Sequence, residues 1–154
     1  MGRIWTTHSV EETEQVGAEM ARNLTAGTVV ALFGDLGMGK TAFVRGMARG
    51  RGLEAEVSSP TFALVHDYGG SPPLIHFDMY RVSDWDDLYA TGFFDYQEAG
   101  GILVVEWSEH IEAALPEDAV RIHFRRIGET EREITEERVS TGRSGGTKNE
   151  DSRD

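Results

Sequence analysis

The chain contains no cysteine, which excludes disulfides and thiolate metal sites. No apolar run approaches the roughly 20 residues that a membrane helix needs. The opening stretch, MGRIWTTHSVEETEQ, has no apolar core of the kind a signal peptide carries. These absences lead us to expect a soluble cytoplasmic protein with no membrane contact. The histidines His8, His66, His76, His110 and His123 are scattered, and no zinc site is expected among them. Positive charge is also scarce. Lys and Arg number 15 against 27 Asp and Glu, a formal net charge of −12. Nonspecific grip on nucleic acid needs the opposite sign, because it works by displacing phosphate counterions. Any RNA in the biology of this chain should therefore be met indirectly, and a basic protein is the better-suited partner.

What is present is enough for one folded domain. The 154 residues are 39% hydrophobic, a natural size and composition for a single core. RIWTTH reads as a first strand. Ser9 and Glu12 have capping-box spacing before a helix carrying Val16, Met20 and Leu24. TVVALF, residues 28–33, is apolar throughout and rich in β-branched residues, which suits a strand buried on both faces. A helix is expected over about 40–49, with GRG as its stop. FALVHDY and LIHFDMY are joined by GGSPP and should form an antiparallel hairpin. Ser83 with Asp86 marks another helix start, and GILVVEW (101–107) is a second strongly apolar strand. Residues 108–115 suit a short helix, and AVRIHFRRI and REITEERV should pair around GET. From Ser140 onward the sequence has no apolar residue, so a disordered polar tail (140–154) is expected after a folded domain spanning 1–139. The fold class expected is α/β, a single-domain sandwich whose mixed sheet includes an antiparallel hairpin.

The chemistry lies in LFGDLGMGKT, residues 32–41. Gly34, Gly39, Lys40 and Thr41 satisfy G-x-x-x-x-G-K-[ST], the phosphate-binding P-loop pattern. The glycines let backbone N–H groups turn toward phosphate oxygens with no Cβ in the way. The following helix aims its N-terminal dipole at the same anion. Lys40 should meet the β and γ phosphates, and the Thr41 hydroxyl should meet Mg²⁺. An acidic residue ending a neighbouring apolar strand is expected to support the metal. Glu106 ends ILVVE and Asp78 lies in LIHFDMYR. We assign Glu106 to Mg²⁺ and leave Asp78 to orient or deprotonate an attacking water. Thr61 in SSPTF is a candidate sensor of the γ-phosphate. Taken locally, that stretch is better read as an ordinary turn set by Pro60. His76 reads as a packing histidine.

GDLGMGKT, SPTF, HFDMYR and VVEWSE occur in this order, and together they resemble the TsaE family. These are small bacterial P-loop ATPases required for threonylcarbamoyladenosine modification of tRNA. The resemblance runs from about residue 11 to residue 135. It implies that Gly37, Met38, Gly39, Lys40 and Thr41, continuing into Ala42, hold the triphosphate of ATP, which becomes ADP after turnover. It implies that Thr41 and Glu106 are the Mg²⁺ ligands. It further implies that Asp78 and Thr61 sit near the γ-phosphate, with Asp78 needed for hydrolysis. Thr13 would touch the nucleotide base, and Trp107 would lie beside the site. Two residues depart from the family pattern. Met38 stands where alanine is usual, with binding expected to survive. Ser108 stands where proline is common and is expected to loosen the turn after Glu106.

The resemblance also implies a role. An ATPase that is slow alone would dock on the TsaB and TsaD proteins. There it would support threonylcarbamoylation of the adenosine next to the anticodon, in tRNAs that read codons starting with A. The alternative is a small-molecule kinase using the same loop. Such enzymes need an arginine-bearing lid, whereas RVSDWDDLYATGFFDYQEAGG (81–101) is acidic and contains only Arg81. A nucleotide-sensing module without useful turnover is a third reading.

Overall fold

The computed structural model describes residues 2–34, 39–53 and 65–138. The elements run β1 (Gly2–Thr7), α1 (Val10–Ala21), β2 (Val29–Phe33), α2 (Lys40–Gly50), β3 (Val65–Gly70) and β4 (Pro73–Asp78). They continue through α3 (Trp85–Ala90), α4 (Phe93–Glu98), β5 (Ile102–Glu106), a 3₁₀ segment (Ser108–Ala114), β6 (Val120–Arg126) and β7 (Arg132–Arg138).

The strands form one sheet of order β1-β7-β6-β2-β5-β4-β3. Its centre is parallel, with β2 between β6 and β5 and β5 beside β4. Its edges are antiparallel: β3 with β4, β6 with β7, and β1 with β7. This is the mixed α/β sandwich expected, including the hairpin. Every residue of β2 and β5 is buried, as strands covered on both faces require. Alternation sorts their side chains into two layers. Val30, Leu32, Leu74, Ile102 and Val104 meet Phe43, Val44 and Met47 of α2 and Val16 and Met20 of α1. Val29, Ala31, Ile75, Phe77, Leu103 and Val105 meet Leu88, Phe93 and Ile111 on the other face.

The helix pair is unusually close. A Cβ at Gly46 would lie 1.9 Å from the Glu14 carbonyl oxygen, and one at Gly17 would lie 2.2 Å from that of Phe43. Only glycine permits this backbone-to-backbone approach. Glu14 then reaches across to Arg45 at 2.8 Å and Arg49 at 2.9 Å.

Two sequence expectations shift in detail. Ser9 caps α1 as expected, its hydroxyl accepting from the Glu12 N–H at 3.1 Å. The return bond from Glu12 accepts from the His8 N–H, one residue earlier than the usual capping box. The next helix is capped by Asp84, which accepts from the Asp87 N–H at 2.8 Å, and not by Ser83. Ser83 instead donates its hydroxyl to Asp87. A break at Gly92 (φ +83°) separates α3 from α4, a second helix not anticipated from the sequence. The beginning of FALVHDY and the tail after residue 139 lie outside the described residues.

Candidate functional site

Strand β2 ends at Phe33, and Gly34 follows with φ +138°. The chain enters α2 through Gly39, whose φ of +95° places it in the left-handed region. No side chain caps α2, and its first turn holds no acidic residue. The contrast with α1 is direct, since α1 has Ser9 as cap and Glu11 and Glu12 in its first turn. The N–H groups and positive dipole end of α2 therefore meet no neutralising side chain from its own first turn or its N-cap residue. Gly37 and Met38 fall outside the described residues, as does Thr61. Ala42 is buried and Thr41 half-buried in the first turn.

Lys40 is 4% exposed. Its Nζ donates to the Gly34 carbonyl oxygen at 2.5 Å and lies 5.1 Å from the centre of the Trp107 ring. Among the described residues no carboxylate stands at ion-pair distance from it. A buried ammonium whose direct contacts among the described residues are a carbonyl and a ring face, with the Asp78 charge acting on it only from beyond ion-pair distance, is a costly arrangement in a resting protein. It becomes favourable when an anion arrives.

The acidic side of the site is set by strand register. β4 and β5 run parallel with Asp78 opposite Glu106, so both carboxylates emerge on one face at the carboxyl end of the central strands. Ligand sites of open α/β sheets occupy this edge. Asp78 accepts from the Tyr80 N–H at 2.9 Å. Burial pushes the Asp78 carboxyl above its ordinary range, and the Glu106 charge adds to that; the Tyr80 bond, His76 and Lys40 oppose it. Glu106 is 4% exposed. One of its oxygens, Oε2, is 2.6 Å from His76 Nε2. The other has no hydrogen-bond partner among the described residues.

Immediately after Glu106 the backbone turns through Trp107 at φ +59°, the one non-glycine in the left-handed region among the described residues. Strain of this sort clusters at functional sites. The Trp107 ring also meets Tyr80 at 4.8 Å and His110 at 5.7 Å between centres. Ser108 tightens the turn where loosening was expected. It is buried, and its hydroxyl donates to the Val105 carbonyl at 3.0 Å.

Thr13 lies beside Gly39. Its hydroxyl is 2.8 Å from that of Thr7, and its methyl group sits 3.5 Å from where a Gly39 Cβ would be. With His8, Ser9, Val10, Gly39, Ala42, Glu129, Thr130 and Arg132 it lines a cavity of about 400 Å³.

The structure thus brings together Gly34, Gly39, Lys40, Thr41, Asp78, Glu106 and Trp107, with Thr13 beside them. The sequence reading took His76 for a packing histidine and did not single out Tyr68. His76 is fully buried in β4, and its Nδ1 is 2.8 Å from the Tyr68 hydroxyl. The available signal was a polar residue in the middle of the apolar run LIHF. That run forms a buried strand, where a polar side chain needs a partner.

The residues present fit a divalent cation. An oxygen of a buried carboxylate with no hydrogen-bond partner among the described residues, and a second carboxylate in register beside it, match the hard oxygen donors that Mg²⁺ takes. Among the described residues no cluster of three or more acidic or histidine side chains forms a full cage.

The family model described as threonylcarbamoyl adenosine biosynthesis protein TsaE matches residues 7–134. The tRNA threonylcarbamoyladenosine biosynthesis protein TsaE of Bacillus subtilis is 41% identical over 133 residues, covering 85% of this chain and 82% of that protein. The protein of the same name from Treponema pallidum is 39% identical over 129 residues, covering 84% and 96%. The crystal structure of Bacillus subtilis YdiB superimposes with a TM-score of 0.79 at 35% identity, covering 92% of this chain and 88% of that one.

Proposed function

Since this chain belongs to the TsaE family of tRNA threonylcarbamoyladenosine biosynthesis proteins, we propose that it serves that modification as a Mg²⁺-dependent ATPase acting on the TsaB–TsaD pair. The observation that carries the proposal is Lys40, a buried ammonium at an uncapped helix N-terminus with no carboxylate partner among the described residues. It faces a lack that a triphosphate supplies.

The steps follow from the residues. The N–H groups opening α2 and the Lys40 ammonium would bind the β and γ phosphates. Binding would draw Lys40 from the Gly34 carbonyl toward the anion. Thr41 and Glu106 would hold Mg²⁺, which when bound offsets charge on the phosphates. Asp78, held by the Tyr80 N–H, would orient the attacking water or take its proton. Water would add to the γ-phosphorus as the bond to the bridging oxygen breaks, leaving ADP and phosphate. A carboxylate whose proton affinity is raised by burial is the better acceptor for this task. Trp107, stacked near Lys40, would report nucleotide binding through its fluorescence. Thr13 would meet the base from the adjoining cavity. The net charge of −12 supports docking on a protein partner, with tRNA reached only through the complex.

The test is phosphate release from ATP by the protein alone and with TsaB and TsaD. Slow release that rises with partners, together with more modified tRNA, is the expected outcome. Phosphate transfer to an added metabolite, with no response to partners, would overturn the proposal in favour of a kinase.

A further inference from the structure

A buried polar chain crosses three strands. The Tyr68 hydroxyl of β3 is 2.8 Å from His76 Nδ1, and His76 Nε2 of β4 is 2.6 Å from Glu106 Oε2 at the end of β5. His76 is fully buried and Glu106 nearly so. The carboxylate oxygen can only accept, so Nε2 carries the hydrogen. In the neutral ring Nδ1 then accepts from the Tyr68 O–H. The imidazole is thereby held in one tautomer and one orientation by its two neighbours. Burial raises the Tyr68 hydroxyl to about 12, with the Glu106 charge adding to it, so it keeps its proton and remains a donor.

Glu106 has no other hydrogen-bond partner among the described residues. Left alone, a glutamate at a strand end would sample several rotamers, each presenting its oxygens differently. The bond to His76 ties down one oxygen and leaves the other to ligate.

We propose that His76 and Tyr68 are positioning residues that fix the Glu106 carboxylate for the divalent cation. The inference rests on the reading above that Glu106 meets the metal. Metal-bound histidine is commonly oriented by a carboxylate; here the order is reversed, with histidine orienting the metal-binding carboxylate. Such outer partners typically matter about 10–100-fold in metal affinity. Simple packing would ask only that His76 fill its space and find bonds. It would not require those bonds to affect the metal.

The experiment measures Mg²⁺ affinity of the full chain saturated with ATP, by titrating Trp107 fluorescence. It also measures ATP affinity with the metal chelated. Tyr68→Phe removes a single oxygen and should weaken Mg²⁺ about 3- to 10-fold. His76→Phe should weaken it more than tenfold. His76→Gln, whose amide can still donate toward Glu106, should recover part of the loss. Metal-free ATP affinity should stay within about twofold throughout. If Glu106→Gln lowers Mg²⁺ affinity while Tyr68→Phe and the His76 variants leave it unchanged, the positioning role is overturned. If Glu106→Gln itself has no effect on Mg²⁺, the metal assignment beneath it fails first. Should His76→Phe not fold, Tyr68→Phe decides the matter, because it removes the chain's outer bond and leaves the core volume intact.

Discussion

Replacing Lys40 with Met should leave the ligand-free protein about as stable as before and abolish its response to nucleotide. Methionine keeps an unbranched stem of similar length, so the packing against β2 survives with little cavity. The variant loses the bond to the Gly34 carbonyl at 2.5 Å, worth about 1.5–3 kcal/mol for a charged donor. It also loses the contact with the Trp107 ring at 5.1 Å, worth about 1 kcal/mol. Against this, the variant no longer buries a charge that is only 4% exposed and lacks a carboxylate partner among the described residues. That penalty is several kcal/mol. The two sides offset, leaving a net change within about 2 kcal/mol, or roughly 4–8 °C in Tm for a chain of this size.

Binding has no such offset. Two charge-assisted bonds to phosphate oxygens, at about 1.5–3 kcal/mol each, correspond to roughly 10²–10⁴-fold in affinity. Differential scanning calorimetry with and without ATP and magnesium reads both quantities. At a ligand concentration about 100 times Kd, the parent protein gains about 2.7 kcal/mol, roughly 5–11 °C. Lys40→Met should show no gain under the same conditions. A Tm that still climbs with nucleotide would refute the assignment of Lys40 to the phosphates. A ligand-free variant weakened by more than about 3 kcal/mol would show that the ammonium serves the fold through Gly34 and Trp107.

Gly46→Ala would place a Cβ 1.9 Å from the Glu14 carbonyl oxygen. The helices must part, and thermal unfolding should show a loss of about 3 kcal/mol or more, roughly 6–12 °C. An unchanged Tm would mean that α1 and α2 do not pack as described. Asp78→Asn removes a carboxylate that burial and Glu106 both disfavour, while its amide oxygen can still accept from Tyr80. The ligand-free protein should gain about 0.5 kcal/mol while phosphate release falls at least about tenfold; loss of both would make Asp78 a structural residue. For Glu14, burial raises the proton affinity, but the bonds from Arg45 and Arg49 outweigh it, so the folded value lies below the ordinary 4.5. A depressed folded value gives stability that is present above pH 4.5 and lost as pH falls through the lower folded value. The stability difference between the parent and Glu14→Gln should shrink over that acid range in urea melts, and a difference that grows would reverse the sign argued here.

Much of this was legible in the sequence because the signals are local. Gly34, Gly39, Lys40 and Thr41 fall within eight consecutive residues, and a loop between a β-branched apolar run and a helix needs no distant information to be recognised. The buried strands 29–33 and 102–106, the Ser9 cap and the hairpin were readable for the same reason. The choice of Glu106 and Asp78 as the acidic pair needed only that each end an apolar strand.

Tertiary structure decided what depends on register and on approach. Asp78 and Glu106 stand side by side because β4 lies parallel to β5 in one alignment; a shift of one residue would turn one of them to the opposite face. His76 and Glu106 are 30 positions apart in the chain, and nothing near His76 in sequence announces its partner. The glycines at 17 and 46 look like weak helix positions until two backbones meet at them. The Trp107 ring reaches Lys40 only because the chain turns sharply after β5. Residue type and short spacing establish which chemistry a segment can perform. Which groups share a site is settled by strand order and helix contact, through distances that only the folded chain makes short.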